Sequence, residues 1–61
     1  MTPAETTAEL IRILGGSAAA EKYTGIGAVT LRRIASGKIT PRDRLANALA
    51  WNLERVMEMV S

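Results

Sequence analysis

The side chains here with the most to offer chemically are cations set beside small and apolar neighbours. Arg32 and Arg33 are adjacent, Val29 stands one helical turn before them, and Ser36, Lys38, Thr40, Arg42 and Arg44 follow. A guanidinium is a planar fork of donors that holds two acceptors at once, whether of a carboxylate, a phosphate or the O6/N7 edge of guanine. Other chemistry is poorly supplied. There is no histidine and no cysteine, the six carboxylates are scattered over polar faces, and no glycine-rich loop joins a strand to a helix. No sequence pattern therefore assembles a nucleophile with a base or a set of metal ligands, so the chain is not expected to be an enzyme or to hold a metal, cofactor or small-molecule ligand.

The net charge of +2 conceals a division along the chain. Residues 1–21 sum to −2, with Glu5, Glu9 and Glu21 against Arg12. Residues 22–44 sum to +5, with Lys22, Arg32, Arg33, Lys38, Arg42 and Arg44 against Asp43, and residues 45–61 sum to −1. A basic block is often only a solvated face, and it is also the electrostatic footprint of a phosphate-binding surface. Which it is depends on the elements that carry it.

Those elements are helices. Thr2-Pro3-Ala4-Glu5 is a capping box with proline at the first helical position. Thr7, Leu10, Ile11 and Leu14 share the apolar face that follows, and Gly15-Gly16 ends the helix, giving a first helix from about Pro3 to Leu14. Ser17 is placed to cap a short helix from Ala18 to about Tyr23. Thr24-Gly25-Ile26-Gly27 breaks the pattern. A third helix is predicted over Ala28–Ser36, with Leu31 and Ile34 inward, Val29, Arg32, Arg33 and Ser36 on the other face, and Gly37 as its stop. Thr40-Pro41-Arg42-Asp43 repeats the opening device and predicts a long helix from Pro41. Its stripe is Leu45, Leu49, Leu53, Val56 and Val60, widened by Ala46, Ala50 and Met57. No alternating strand pattern, internal repeat or low-complexity segment appears, so residues 1–61 read as a single all-α domain, a compact bundle of four or five short helices.

The segment Ala20 to Lys38 resembles the helix-turn-helix of the lambda-repressor-like family, which includes the phage Cro proteins and many short autoregulators. Ala20, Gly25 and Ile26 match the family's alanine, turn glycine and aliphatic residue. Leu31 and Ile34 match the aliphatic positions of its recognition helix, and Ser36-Gly37-Lys38 its usual close. The likeness covers these 19 residues. It departs in one place: Ala20 stands five residues before Gly25, where the family has four. Either Thr24 is an extra turn residue or Glu21 takes the alanine's place, and the first is preferred because it keeps Tyr23 as the last buried residue of the second helix.

The resemblance implies a small phage or mobile-element regulator that binds double-stranded DNA and represses by occupying an operator, often its own promoter. Base edges would meet Gly27, Ala28, Val29, Arg32 and Arg33, since a recognition helix presents its first turns and one face to the major groove. Phosphates would meet Ser17, Ser36, Lys38, Thr40, Arg42 and Arg44. Ser17 is alternatively only a cap, and the arginines only solubilising charges, though the exposed Val29 among them argues otherwise. Trp51 projects about 160° from the centre of the last helix's apolar stripe. Three readings of it stand: it packs against the first helix, it anchors a homodimer together with Arg55 and Met59, with Met57 and Val60 adding to the surface, or it contacts DNA. A twofold dimer would select an inverted-repeat operator. A helical protein-interaction module is the alternative from another class, and an antitoxin or accessory recombination protein could use the same motif. No stretch approaches the roughly 20 apolar residues that span a bilayer, and the absence of cysteine fits the cytoplasm.

Overall fold

Four α-helices follow one another without a strand: α1 (Pro3–Leu14), α2 (Ser17–Thr24), α3 (Ala28–Ala35) and α4 (Asp43–Val60). The computed structural model describes every residue from Met1 to Ser61. The expected all-α bundle is therefore what the chain forms. No helix is long and apolar enough to cross a membrane.

α1 is the central element, packing against α2, α3 and α4, while α2 also packs against α3. Its start follows from the local sequence. The Thr2 hydroxyl accepts from the Glu5 N–H at 3.1 Å and the Glu5 carboxylate accepts from the Thr2 N–H at 2.8 Å, so two otherwise orphaned amides are satisfied reciprocally. The buried core consists of Leu10, Ala20, Leu31, Ile34, Leu49, Leu53 and Val56, with Ile11, Ile13, Leu14, Tyr23, Ile26 and Leu45 packed around it. Thr7 is fully buried and donates its hydroxyl to the Pro3 carbonyl at 2.8 Å, which lets a polar residue sit inside. At about 0.05–0.15 kcal/mol per residue a chain this size has only on the order of 3–9 kcal/mol of stability. Truncating one fully buried leucine costs about 2–5 kcal/mol, so each core contact of α3 is needed to hold it in place.

Three expectations fail at helix ends. α2 starts at Ser17 rather than Ala18, with Gly16 in the N-cap position and no side-chain cap, so Ser17 is not a cap. Thr24 closes α2 instead of joining the turn: its hydroxyl donates to the Ala20 carbonyl at 2.8 Å and accepts from the Ile26 N–H at 3.1 Å. α4 starts at Asp43, two residues after Pro41, with Arg42 extended at φ −69° and ψ 163° and no side-chain cap. The ring of Pro41 fixes only φ, a value that extended chain shares with helix. Pro41 is half-buried and Thr40 exposed, so this segment serves as connector and packing rather than as a capping box.

The apolar stripe of α4 also ends early. Leu49, Leu53 and Val56 are buried, but Val60 is 67% exposed and Met57 is exposed as well. α4 has 18 residues and α1 has 12. At 1.5 Å per residue that is about 27 Å against about 18 Å, so the last turn of α4 overhangs the helix it packs on.

Candidate nucleic-acid interface

α2, its turn and α3 form the part of the chain that the family resemblance concerns. α2 ends at Gly25, whose φ of +77° lies in the left-handed region and whose N–H reaches the Glu21 carbonyl at 2.8 Å. A Cβ at Gly25 would touch nothing within 4 Å, so the demand for glycine is torsional and not steric crowding. Ala20 is fully buried and Glu21 is exposed, which excludes the reading in which Glu21 replaces the motif's alanine.

α3 lacks a serine, threonine or aspartate at its N-cap, which is Gly27. The missing acceptor comes from α2: the Glu21 carboxylate accepts from the Ala28 N–H at 3.0 Å. This places a negative charge at the positive end of the α3 dipole and locks the two helices together across the turn. Sequence reasoning missed Glu21. An uncapped helix start is the signal that would have prompted a search for a remote acceptor. At its other end α3 closes in a Schellman motif, with Gly37 at φ +80°, its N–H on the Ile34 carbonyl at 3.0 Å and the Lys38 N–H on the Arg33 carbonyl at 2.9 Å.

Leu31 and Ile34 are fully buried, which turns the opposite face of α3 outward. There Val29, Arg32, Arg33, Ser36 and Lys38 line an open depression of about 340 Å³. Val29 is 50% exposed among three cations, and no carboxylate lines the depression. The two arginines differ. Arg32 donates from Nη1 to the Ser17 hydroxyl at 2.9 Å, linking α3 to the first turn of α2. Arg33 makes no side-chain hydrogen bond or ion pair; the one ion pair in the chain joins Glu9 and Arg12 on α1. Gly27 is exposed at the N-terminus of α3, and Ala28 is half-buried with its amide already committed to Glu21.

The residues expected to meet phosphate separate into two groups. Ser36 and Lys38 adjoin the α3 depression and Ser17 adjoins Arg32. Arg42 and Arg44 line a different depression, with Leu45 and Ala48. Thr40 is exposed between them. Of the readings of Trp51, packing against α1 is excluded, because the indole is 55% exposed, stands outside the core and has the Arg55 guanidinium 4.8 Å from its ring centroid. Met59 is 66% exposed, and its sulfur accepts from the Tyr23 hydroxyl at 3.4 Å. Comparison with models of known families, with curated proteins and with solved structures gives no match to this chain.

Proposed function

We propose that this chain binds double-stranded DNA sequence-specifically, inserting α3 into the major groove, and acts as a Cro-type repressor or autoregulator by occupying its operator. One observation carries the reading: the outward face of α3 gathers Arg32, Arg33, Lys38 and Ser36 around a half-exposed Val29, without a carboxylate among them. Solubility requires no such arrangement. A major groove does, since arginine can bond guanine through two acceptors and a valine can meet a thymine methyl.

Within this reading Arg33, Val29 and the end of α3 at the exposed Gly27 and half-buried Ala28 face the bases. Arg32, turned onto Ser17 at the start of α2, meets a base edge only by leaving that hydroxyl, and where it stands it suits a phosphate oxygen. Lys38 and Ser36 extend the phosphate-facing rim. The experiment is titration into a randomised duplex pool with sequencing of the bound fraction, run beside the Arg32→Ala plus Arg33→Ala variant at matched salt. Enrichment of a defined sequence, abolished in the variant, is the expected result. Absence of enrichment, or equal enrichment by both proteins, would refute the proposal.

A second reading draws on a different observation, the exposed Trp51, Met57, Met59 and Val60 of α4. There the chain is a helical protein-interaction module whose arginines are solubilising. It predicts weak, sequence-independent retention of duplex in the same experiment.

A further inference from the structure

The outer face of α4 carries a pattern that neither the core nor the α3 surface uses. At 100° per residue Arg44, Ala48, Trp51, Arg55 and Glu58 fall within a strip about 80° wide, centred about 140° round the helix from the apolar stripe. Trp51 is its midpoint. Arg44 and Glu58 each stand seven residues away, two turns or about 10.5 Å along the axis in either direction. Neither Arg44 nor Glu58 has an ion-pair partner in the chain.

We infer that this strip binds a second copy of the chain, the two α4 helices running antiparallel about a twofold axis at Trp51. The axis sets Trp51 against Trp51, and it sets Arg44 of each copy against Glu58 of the other, so one contact is made twice. A parallel pairing would oppose Arg44 to Arg44 and Glu58 to Glu58, and it is rejected by its own charges. Ala48 beside Trp51 leaves room for the facing indole. The flank agrees with this register. Arg42, Arg44, Leu45 and Ala48 line an almost wholly apolar depression of about 350 Å³ near the N-terminal end of α4. Met59, near the C-terminal end, lies on the same flank as Leu45. A twofold axis brings like flanks together at opposite ends, so the exposed Met59 of one copy meets the depression of the other.

None of these residues lines the depression on α3, so a dimer built this way leaves both recognition faces open. The inference rests on α4 alone and holds whether or not α3 reads DNA. One helical strip from each copy falls short of the roughly 1,200 Å² typical of tight complexes, so the expected dissociation constant is on the order of 10 μM.

The test is sedimentation equilibrium of the full chain, without DNA, from about 1 to 500 μM, a range that brackets that constant. The wild type should shift from monomer to dimer. Arg44→Glu and Glu58→Arg should each remain monomeric to at least tenfold higher concentration, because each places like charges at both ends. Mixed in equal amounts the two variants should form a heterodimer with near wild-type affinity, since both ion pairs are then restored. Both sites are exposed, and circular dichroism checks that each variant is folded. A wild type that stays monomeric throughout would overturn the inference, as would single variants that dimerise normally or a mixture that does not associate. A monomer whose Trp51 emission shifts only when duplex is added would also overturn it, assigning the strip to DNA.

Discussion

Replacing Arg33 or Arg32 by alanine should separate two kinds of DNA contact that adjacent arginines would otherwise be assumed to share. Arg33 has no side-chain partner within the chain, so Arg33→Ala should leave the melting temperature unchanged. Arg32 donates to the Ser17 hydroxyl, and losing an exposed hydrogen bond of this kind costs about 0.5–1 kcal/mol. For so small a domain that corresponds to a fall of roughly 2–8 °C. On DNA the order reverses. A bidentate arginine–guanine contact is worth about 1–3 kcal/mol of discrimination, so Arg33→Ala should weaken binding to one selected half-site by roughly 5- to 150-fold. Its affinity for random duplex should change far less. Arg32→Ala, removing one phosphate-facing charge, should weaken selected and random duplex alike and reduce the slope of log K against log salt by about 0.9. Fluorescence anisotropy with both duplexes at four salt concentrations, together with thermal melts, reads all of this. If Arg33→Ala weakens both duplexes by the same factor, or the selected one by less than twofold, Arg33 does not read bases and the assignment is wrong.

Three further outcomes follow from the same geometry. Gly25→Ala should destabilise the domain by about 1–2 kcal/mol, because alanine at φ +77° bears the left-handed penalty although its Cβ meets no atom; an unchanged urea midpoint would refute the torsional account. Glu21→Ala should cost about 1 kcal/mol by uncapping α3. Amide exchange should then accelerate at Ala28 while Glu21→Gln, which keeps an acceptor, retains most of the protection; equal exchange in all three proteins would remove Glu21 from this role. The third concerns acid. The backbone N–H of Thr2, and then its side chain, hold the Glu5 carboxyl below its usual range. A carboxyl depressed in the folded state stabilises above its unfolded pKa, and that contribution is lost as pH falls through the folded value. The first turn of α1 should therefore loosen on acidification below about pH 4. Thr2→Ala removes the hydroxyl but keeps the backbone N–H, so the Glu5 carboxyl, followed by NMR titration, should return only part of the way toward the ordinary range; an unmoved titration would show that the Thr2 side chain does not contribute.

Much of the fold was legible in the sequence where the signals are local. α1 begins and ends where Thr2, Pro3, Glu5 and Gly15 require, since these interactions span three or four residues and form within the helix itself. The inward pair Leu31 and Ile34 and the stop at Gly37 were equally readable, and with them the outward face that carries Val29 and Arg33. Thr40-Pro41-Arg42-Asp43 shows the limit of such signals. It has the same form as the α1 start and does not cap, because the path of the chain from α3 into α4 leaves Arg42 extended.

The tertiary structure alone decided the relations between distant residues. Glu21 reaches Ala28 seven positions on, and Arg32 reaches Ser17 fifteen positions back; both depend on the angle at which α2 and α3 cross at the turn, which no short-range propensity fixes. Val60 belongs to the apolar stripe by periodicity but is exposed, because α4 outruns α1 and only the Tyr23 hydroxyl, on Met59, reaches its last turn. Trp51 was placed by the sequence on the far side of that stripe, and only the packing of α1 on the opposite face left it facing outward. Periodicity assigns a residue to a side of its helix, whereas burial and partners depend on what another helix brings to that side.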